Sequence, residues 1–288
     1  MQRICAFGLV LVAYLSLATA VAQTIVYPPP LGEWDKQHNY PIKLLEKALS
    51  KTPSTYKLEL YEKIIDQEQA LNLLYRKQVD VVWTMTNKQR EALYLPIRIP
   101  LTKGLSGWRL FLIKPKHQSL FANVKNRDQL SLYTAVQGQD WPDCEILQRN
   151  QLKLVTKANY IDLIDVLSAG KAQYFPRGVF EIWSESEQFK AQGHQVAVER
   201  HLALYYPTAL YFFVNRTNKT LAAKIEQGLH KMLANGEFEQ MFKQTFAEAI
   251  KKTNFAQRRV LHLNNPTLPK QTPIANKQLW YIPKSAGD

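Results

Sequence analysis

Three clusters of side chains in this 288-residue chain have the types and spacing needed to hold a small charged molecule. The first is Thr84, Thr86 and Arg90. A guanidinium just beyond two hydroxyls can fork onto a carboxylate while the hydroxyls and helix-start amides donate to the same oxygens. The second is Gly138-Gln139 with Trp141. A glycine lets backbone approach a ligand closely, and the tryptophan is either a pocket wall or a helix-packing residue. The third is Arg177 with Glu181. Two readings are open there, a second cationic contact for a ligand or an internal ion pair. Trp34 and Tyr40 add ring faces that either stack on a flat ligand or cover the edge of a core.

The elements around these residues explain why they would meet. Residues 79–83 form a short apolar, β-branched run of the kind buried on both faces of a sheet. Thr84 and Thr86 then fall at its carboxyl end, where parallel α/β sheets collect ligands. Asn87 is suited to cap a helix carrying Arg90. Before this, a strand at 24–27 is stopped by Pro28-Pro29-Pro30, and helical spacing from Ile42 to Leu49 leads to an alternating strand at 56–61. Asp66 and Gln69 read as a capping box. The order β-α-β-α-β predicts a parallel sheet with helices on both faces.

Past Gly104 and Gly107, the apolar run 108–113 opens a second set of elements. Strands are expected at 132–136, 152–156 and 172–175, and a helix at 160–167. Asp140 is the expected cap of a helix entered through Pro142. A strand at 202–206, Pro207 and a strand at 209–215 bring the chain back. Leu221, Ile225, Leu229 and Met232 mark an amphipathic helix, and Phe238 to Phe246 a further one. The tail 251–288 holds Pro266, Pro269, Pro273 and Pro283 among apolar residues such as Leu261, Leu279 and Trp280. It is expected to pack along the body of the protein without long regular structure.

Composition narrows the function classes. Hydrophobic residues make up 46% and charged residues 21%, which describes an ordinary globular protein. Arg3, an apolar run over 4–17 and Ala20-Val21-Ala22 read as a cleavable export signal over residues 1–22, with cleavage after Ala22. Cys5 leaves with it, so Cys144 has no disulfide partner. The histidines are scattered and no metal-ligand spacing occurs, so neither metal nor cofactor is expected. The net charge of +13 suits solubility and weak attraction to anionic surfaces. The basic residues are diffuse and no recognition motif accompanies them, so no nucleic-acid partner is expected.

The stretch from Val79 to Ile113, with Thr84, Thr86 and Arg90, resembles the strand, Thr/Arg turn and crossing strand of bacterial extracellular solute-binding proteins of family 3. The run TLAAKIEQGLHKMLANGEFEQMFKQTF is similar to that family's C-terminal signature. The family's common Thr-Pro-Glu-Arg run is one residue longer here, Thr86-Asn87-Lys88-Gln89-Arg90. The Gly-Thr/Ser turn of the second lobe reads Gly138-Gln139, and the acidic ammonium ligand is replaced by Arg177 with Glu181 nearby.

The resemblance implies an α/β, two-lobe type II periplasmic-binding fold. Lobe 1 would comprise residues 23–108 and 212–250, lobe 2 residues 109–211, and 251–288 an extension. It also implies a monomeric periplasmic protein that closes on a small, carboxylate-bearing ligand for an inner-membrane ABC permease. The alternative is a sensor or partner-binding protein that reports to a membrane receptor. An enzyme on this fold is the weaker third reading, since no carboxylate pair or activated nucleophile stands out.

Overall fold

The computed structural model describes residues 22–30 and 38–283. The expected export signal, except Ala22, and Trp34 lie outside the described residues. Four strands open the first lobe: β1 (Gln23–Tyr27), β2 (Tyr56–Leu60), β3 (Val81–Met85) and β4 (Tyr94–Ile97). Six belong to the second: β5 (Trp108–Ile113), β6 (Thr134–Gly138), β7 (Lys153–Lys157), β8 (Tyr174–Gly178), β9 (Ala197–Val198) and β10 (Leu202–Tyr205). Then β11 (Leu210–Asn215) returns to the first lobe, and β12 (Arg259–His262) goes back to the second.

In the first lobe β1 pairs in parallel with β2, and β11 lies antiparallel between β3 and β4. The second sheet runs β12-β10-β5-β8-β6-β7, with β9 also on β5. Within it β6 is parallel to β7 and β8, while β5 is antiparallel to β8 and β10. The antiparallel members are β5 and β11, the strands that arrive after each crossing between lobes. Trp108 already pairs in the second sheet, and Leu210 and Tyr211 in the first. The chain thus changes sheet between Ile97 and Trp108, and again between Tyr205 and Leu210.

Two-sided burial of the central strands drives this architecture. In β11, Phe212 and Val214 face one apolar cluster, and Tyr211 and Phe213 another. In β5, Leu110 and Leu112 face the first cluster while Phe111 and Ile113 face a third around Phe121, Leu147 and Tyr174. Period-2 alternation sends neighbouring residues to opposite faces, so both must be apolar when helices cover both sides. The helices Asn39–Ser50 and Lys219–Ala234 pack together on the first lobe through Leu44, Leu45, Ile225 and Leu229.

Local signals place several elements. Asp66 and Gln69 form a reciprocal capping box on the helix Gln67–Tyr75. Asn87 accepts from the Arg90 amide at 2.7 Å to start Lys88–Leu93. Two expectations shift. β3 begins at Val81 rather than Val79, because the Asp80 amide and carboxylate both engage Val26 across the first lobe. Asp140 does not cap Pro142–Arg149; Trp141 occupies that position with extended backbone, as a residue before proline must.

The C-terminal segment runs across both lobes. After the helix Glu237–Thr253 it adds β12 in parallel to β10, and the Arg258 guanidinium donates to the carbonyls of Thr253, Glu199 and Leu202. Asn264 and Asn150 exchange hydrogen bonds in the second lobe, and Asn265 donates to Pro207 O beside one crossing. The chain then reaches the first lobe, where Thr267 O accepts from Lys88 N at 3.0 Å. Near its end Tyr281 N donates to Lys103 O at 2.7 Å, beside the other crossing. The Trp280 ring packs against Gly104, where a Cβ would lie 2.2 Å from it, and the φ of 71° there independently favours glycine.

Candidate functional site

A cavity of about 990 Å³ opens between the lobes. The first lobe contributes His38, Tyr40, Ile64, Asp66, Gln67, Trp83 and Thr102 to its lining; the second contributes Gly138, Trp141, Tyr160, Ile161, Arg177, Phe180, Glu181, Glu185 and Gln188. Its size suits a small molecule, and its walls are largely aromatic. Trp83 is carried by β3 and packs edge-on to Phe212, while His38 sits 4.7 Å from it, centroid to centroid. Burial pushes the His38 imidazole down to about 4, so it is neutral at pH 7.

At the floor lies a buried ionic cluster. Arg177 forks onto Glu185 at 2.7 and 2.6 Å and reaches Glu181 at 3.2 Å. Its guanidinium also lies 4.7 Å over the Trp141 ring and 5.1 Å over Phe175. Arg109 pairs with Asp143 at 2.9 Å, donates its Nε–H to Tyr206 Oη at 2.9 Å, and approaches Glu181 at 3.5 Å. Tyr206 in turn donates to Asp143. Burial alone would raise the Glu181 carboxyl, but Arg177, Arg109 and the Gly178 amide outweigh it and hold the group below the usual carboxylate range.

Arg90 sits elsewhere. It lines a second, more polar recess with Gln139, Asp140, Glu145 and Arg149, which shares Trp141 with the aromatic cavity. Its Nη1 donates to Thr84 Oγ1 at 2.7 Å and Met85 O at 2.8 Å. Its Nη2 donates to Gln67 Oε1 at 2.6 Å and, across the cleft, to Asp140 O at 3.3 Å. These acceptors are all uncharged, and desolvation pushes the guanidinium down to about 10.

Among the expected site residues, Tyr40, Gly138, Trp141, Arg177 and Glu181 line the aromatic cavity; Arg90, Gln139 and Trp141 line the polar recess. Thr84 and Thr86 are buried and line neither: Thr84 holds Arg90, and Thr86 donates to Glu91. Tyr40 donates to Leu101 O. A carboxylate grip by Arg90 and Arg177 presumed free donors, which the structure spends inside the protein. Gly138 has a clear role: a Cβ there would lie 2.5 Å from the Trp141 ring, so only glycine lets the indole settle.

The sequence reading missed Trp83, Arg109, Asp143, Tyr160, Phe180, Glu185 and Tyr206. Arg109 carried a signal, as the lone charge in the otherwise apolar run 108–113. Glu185, eight residues beyond Arg177, carried none until the turn after β8 was known. The buried Cys144 thiol donates to Gly138 O, and burial pushes it up to about 12, which makes it inert.

No protein-family model matches the chain, and no curated protein does by sequence. Solved structures do match by fold. The probable amino-acid ABC transporter extracellular-binding protein ytmK from Bacillus subtilis superposes with a TM-score of 0.58 at 15% identity, over 79% of this chain and 99% of its own. An ancestral arginine-binding protein bound to arginine gives 0.58 at 15%, over 78% and 98%. A histidine kinase sensor domain with similarity to periplasmic binding proteins gives 0.56 at 15%, over 78% and 96%. Among the described residues, no helix is long and apolar enough to cross a membrane. With two α/β lobes, crossing strands between them and these neighbours, the chain has the two-lobe fold of the periplasmic binding proteins.

Proposed function

We propose that this is an exported solute-binding protein that closes its two lobes on a small organic ligand. The observation that carries the reading is the cavity of about 990 Å³ whose walls come from both lobes. A ligand touching both walls favours the closed arrangement by its differential contacts, which is how such lobes respond to a solute. Trp83 and Gln67 on one side, and Trp141, Tyr160 and Gln188 on the other, are the contacts this reading assigns.

Handing the ligand to an inner-membrane ABC permease is supported by two of the fold neighbours, the probable amino-acid ABC transporter extracellular-binding protein ytmK and a putative L-cystine ABC transporter from Listeria monocytogenes. A specific observation favours a second reading, in which the protein reports its ligand to a membrane receptor. The C-terminal segment contacts both crossings between the lobes, so it is placed to feel closure, and one neighbour is a kinase sensor domain. A catalytic role has little support, since each buried carboxylate of the cleft floor is held by an arginine.

A thermal-shift screen of the purified protein against amino acids, dicarboxylates, small peptides, sugars and ring compounds tests the proposal. A ligand that binds only the native state raises the midpoint with concentration. At least one such hit is expected. A folded protein with no hit across all classes would refute solute binding.

A further inference from the structure

We propose that the cavity selects an uncharged ligand with a planar ring body, held by stacking and neutral hydrogen bonds rather than by ion pairs. The proposal rests on the solute-binding reading and adds the ligand class to it.

Around the cleft floor the guanidiniums of Arg109 and Arg177 meet the carboxylates of Asp143, Glu181 and Glu185, and each of the three carboxylates is held by at least one arginine. Every charge of the cluster therefore already has a partner inside the protein. The arginine that faces the cavity, Arg177, has its fork filled by Glu185 at 2.7 and 2.6 Å. An anionic ligand would have to displace that carboxylate and then sit beside it. A cationic ligand would find both Glu181 and Glu185 already bridged by arginine. Either ion would lose its hydration without gaining a free partner, which disfavours binding. The remaining lining carboxylate, Asp66, is exposed at the rim and caps the helix Gln67–Tyr75.

The walls supply what the charges do not. Trp83 from the first lobe and Tyr160 and Phe180 from the second are half-buried and line the cavity. Rings presented from both lobes suit a flat body between them, since stacked and edge-to-face contacts add to area burial. At the mouth Ile64 and Ile161, one from each lobe, are 70% and 66% exposed. Closure over an apolar body would withdraw both from water.

Among the described residues, two that line the cavity carry a buried polar atom without a partner: Thr102 at Oγ1, in a residue only 1% exposed, and Gln188 at Oε1. A buried acceptor without a donor is costly, and a ligand N–H or O–H would satisfy it. Both groups are uncharged, which agrees with the paired charges of the floor.

The test uses one ring with three charges: indole-3-acetamide, tryptamine and indole-3-acetate, each titrated into the purified protein by calorimetry at pH 7. The neutral amide is expected to bind at least about tenfold tighter than either ion. Its affinity is expected to change little between about 0.05 and 0.5 M salt, where an ion-pair grip would weaken. Trp83→Ala should weaken it strongly. Ile161→Ser, at an exposed position that leaves the fold intact, should weaken it by about threefold or more. Equal or tighter binding of either ion, or of none of the three, would overturn the ligand class. In that event a hit among amino acids would leave solute binding standing, whereas no hit in any class on folded protein would remove solute binding as well.

Discussion

Replacing Glu185 by glutamine removes one charge from the best-formed ion pair of the cleft floor and keeps its shape. Arg177 is 6% exposed and Glu185 2%, so water cannot take over the lost interaction. Two hydrogen bonds between ionised partners, at 2.7 and 2.6 Å, become at most one from the guanidinium to a neutral amide oxygen. Breaking a buried pair by removing one partner costs about 3–5 kcal/mol. Here Glu181 stays 3.2 Å from the guanidinium and the rings of Trp141 and Phe175 still face it, which places the cost near the lower end, about 3 kcal/mol. In a chain of this size that corresponds to a midpoint lowered by roughly 6–12 °C. Urea unfolding of the wild type and of Glu185→Gln measures it directly. A loss below about 1 kcal/mol for Glu185→Gln would refute the view that the ion pairs of the floor are fully formed and shielded from water.

Gly138→Ala should drive the Trp141 ring from its seat, because the new Cβ would lie 2.5 Å from it; a shifted tryptophan emission and a loss of about 1–3 kcal/mol are expected. His38 has a folded value of about 4 against an ordinary 6.5, so the unfolded chain takes up the proton first as pH falls. Its contribution is therefore complete above about pH 6.5 and is lost between there and pH 4, by up to about 3 kcal/mol, and His38→Leu should flatten that limb of the stability–pH curve. Truncation after Asn254 removes buried Leu261, Leu263 and Leu279 and uncovers the β10 edge; a loss of about 4 kcal/mol or more and a tendency to aggregate are expected in unfolding and light-scattering measurements.

The frame of the protein was legible because its strands announce themselves. The runs 110–113 and 209–214 are apolar at every step, and only a strand covered on both faces requires that. Caps were equally readable at Asp66 and Asn87, since side chain and first-turn amides lie within a few residues of each other. The site was less so. Thr84, Thr86 and Arg90 do meet, yet the direction in which Arg90 spends its donors depends on Gln67 and Asp140, from another helix and another lobe. Arg177 is claimed by Glu185, a partnership formed only when the chain turns after β8. Long-range pairings of this kind leave no local pattern to read.

The parallel pairing of β12 with β10 has a kinetic consequence. Arg259 lies beside Leu202, so an edge of the second sheet is supplied by residues that follow the whole return through the first lobe. Closing so long a loop is entropically slow compared with joining neighbouring strands. During synthesis, that sheet stays one strand short until nearly the entire chain has emerged. A ribosome-stalled or proteolysed fragment lacking residues 259–262 would carry a naked β10 edge, and a chaperone or a protease would recognise it as unfinished.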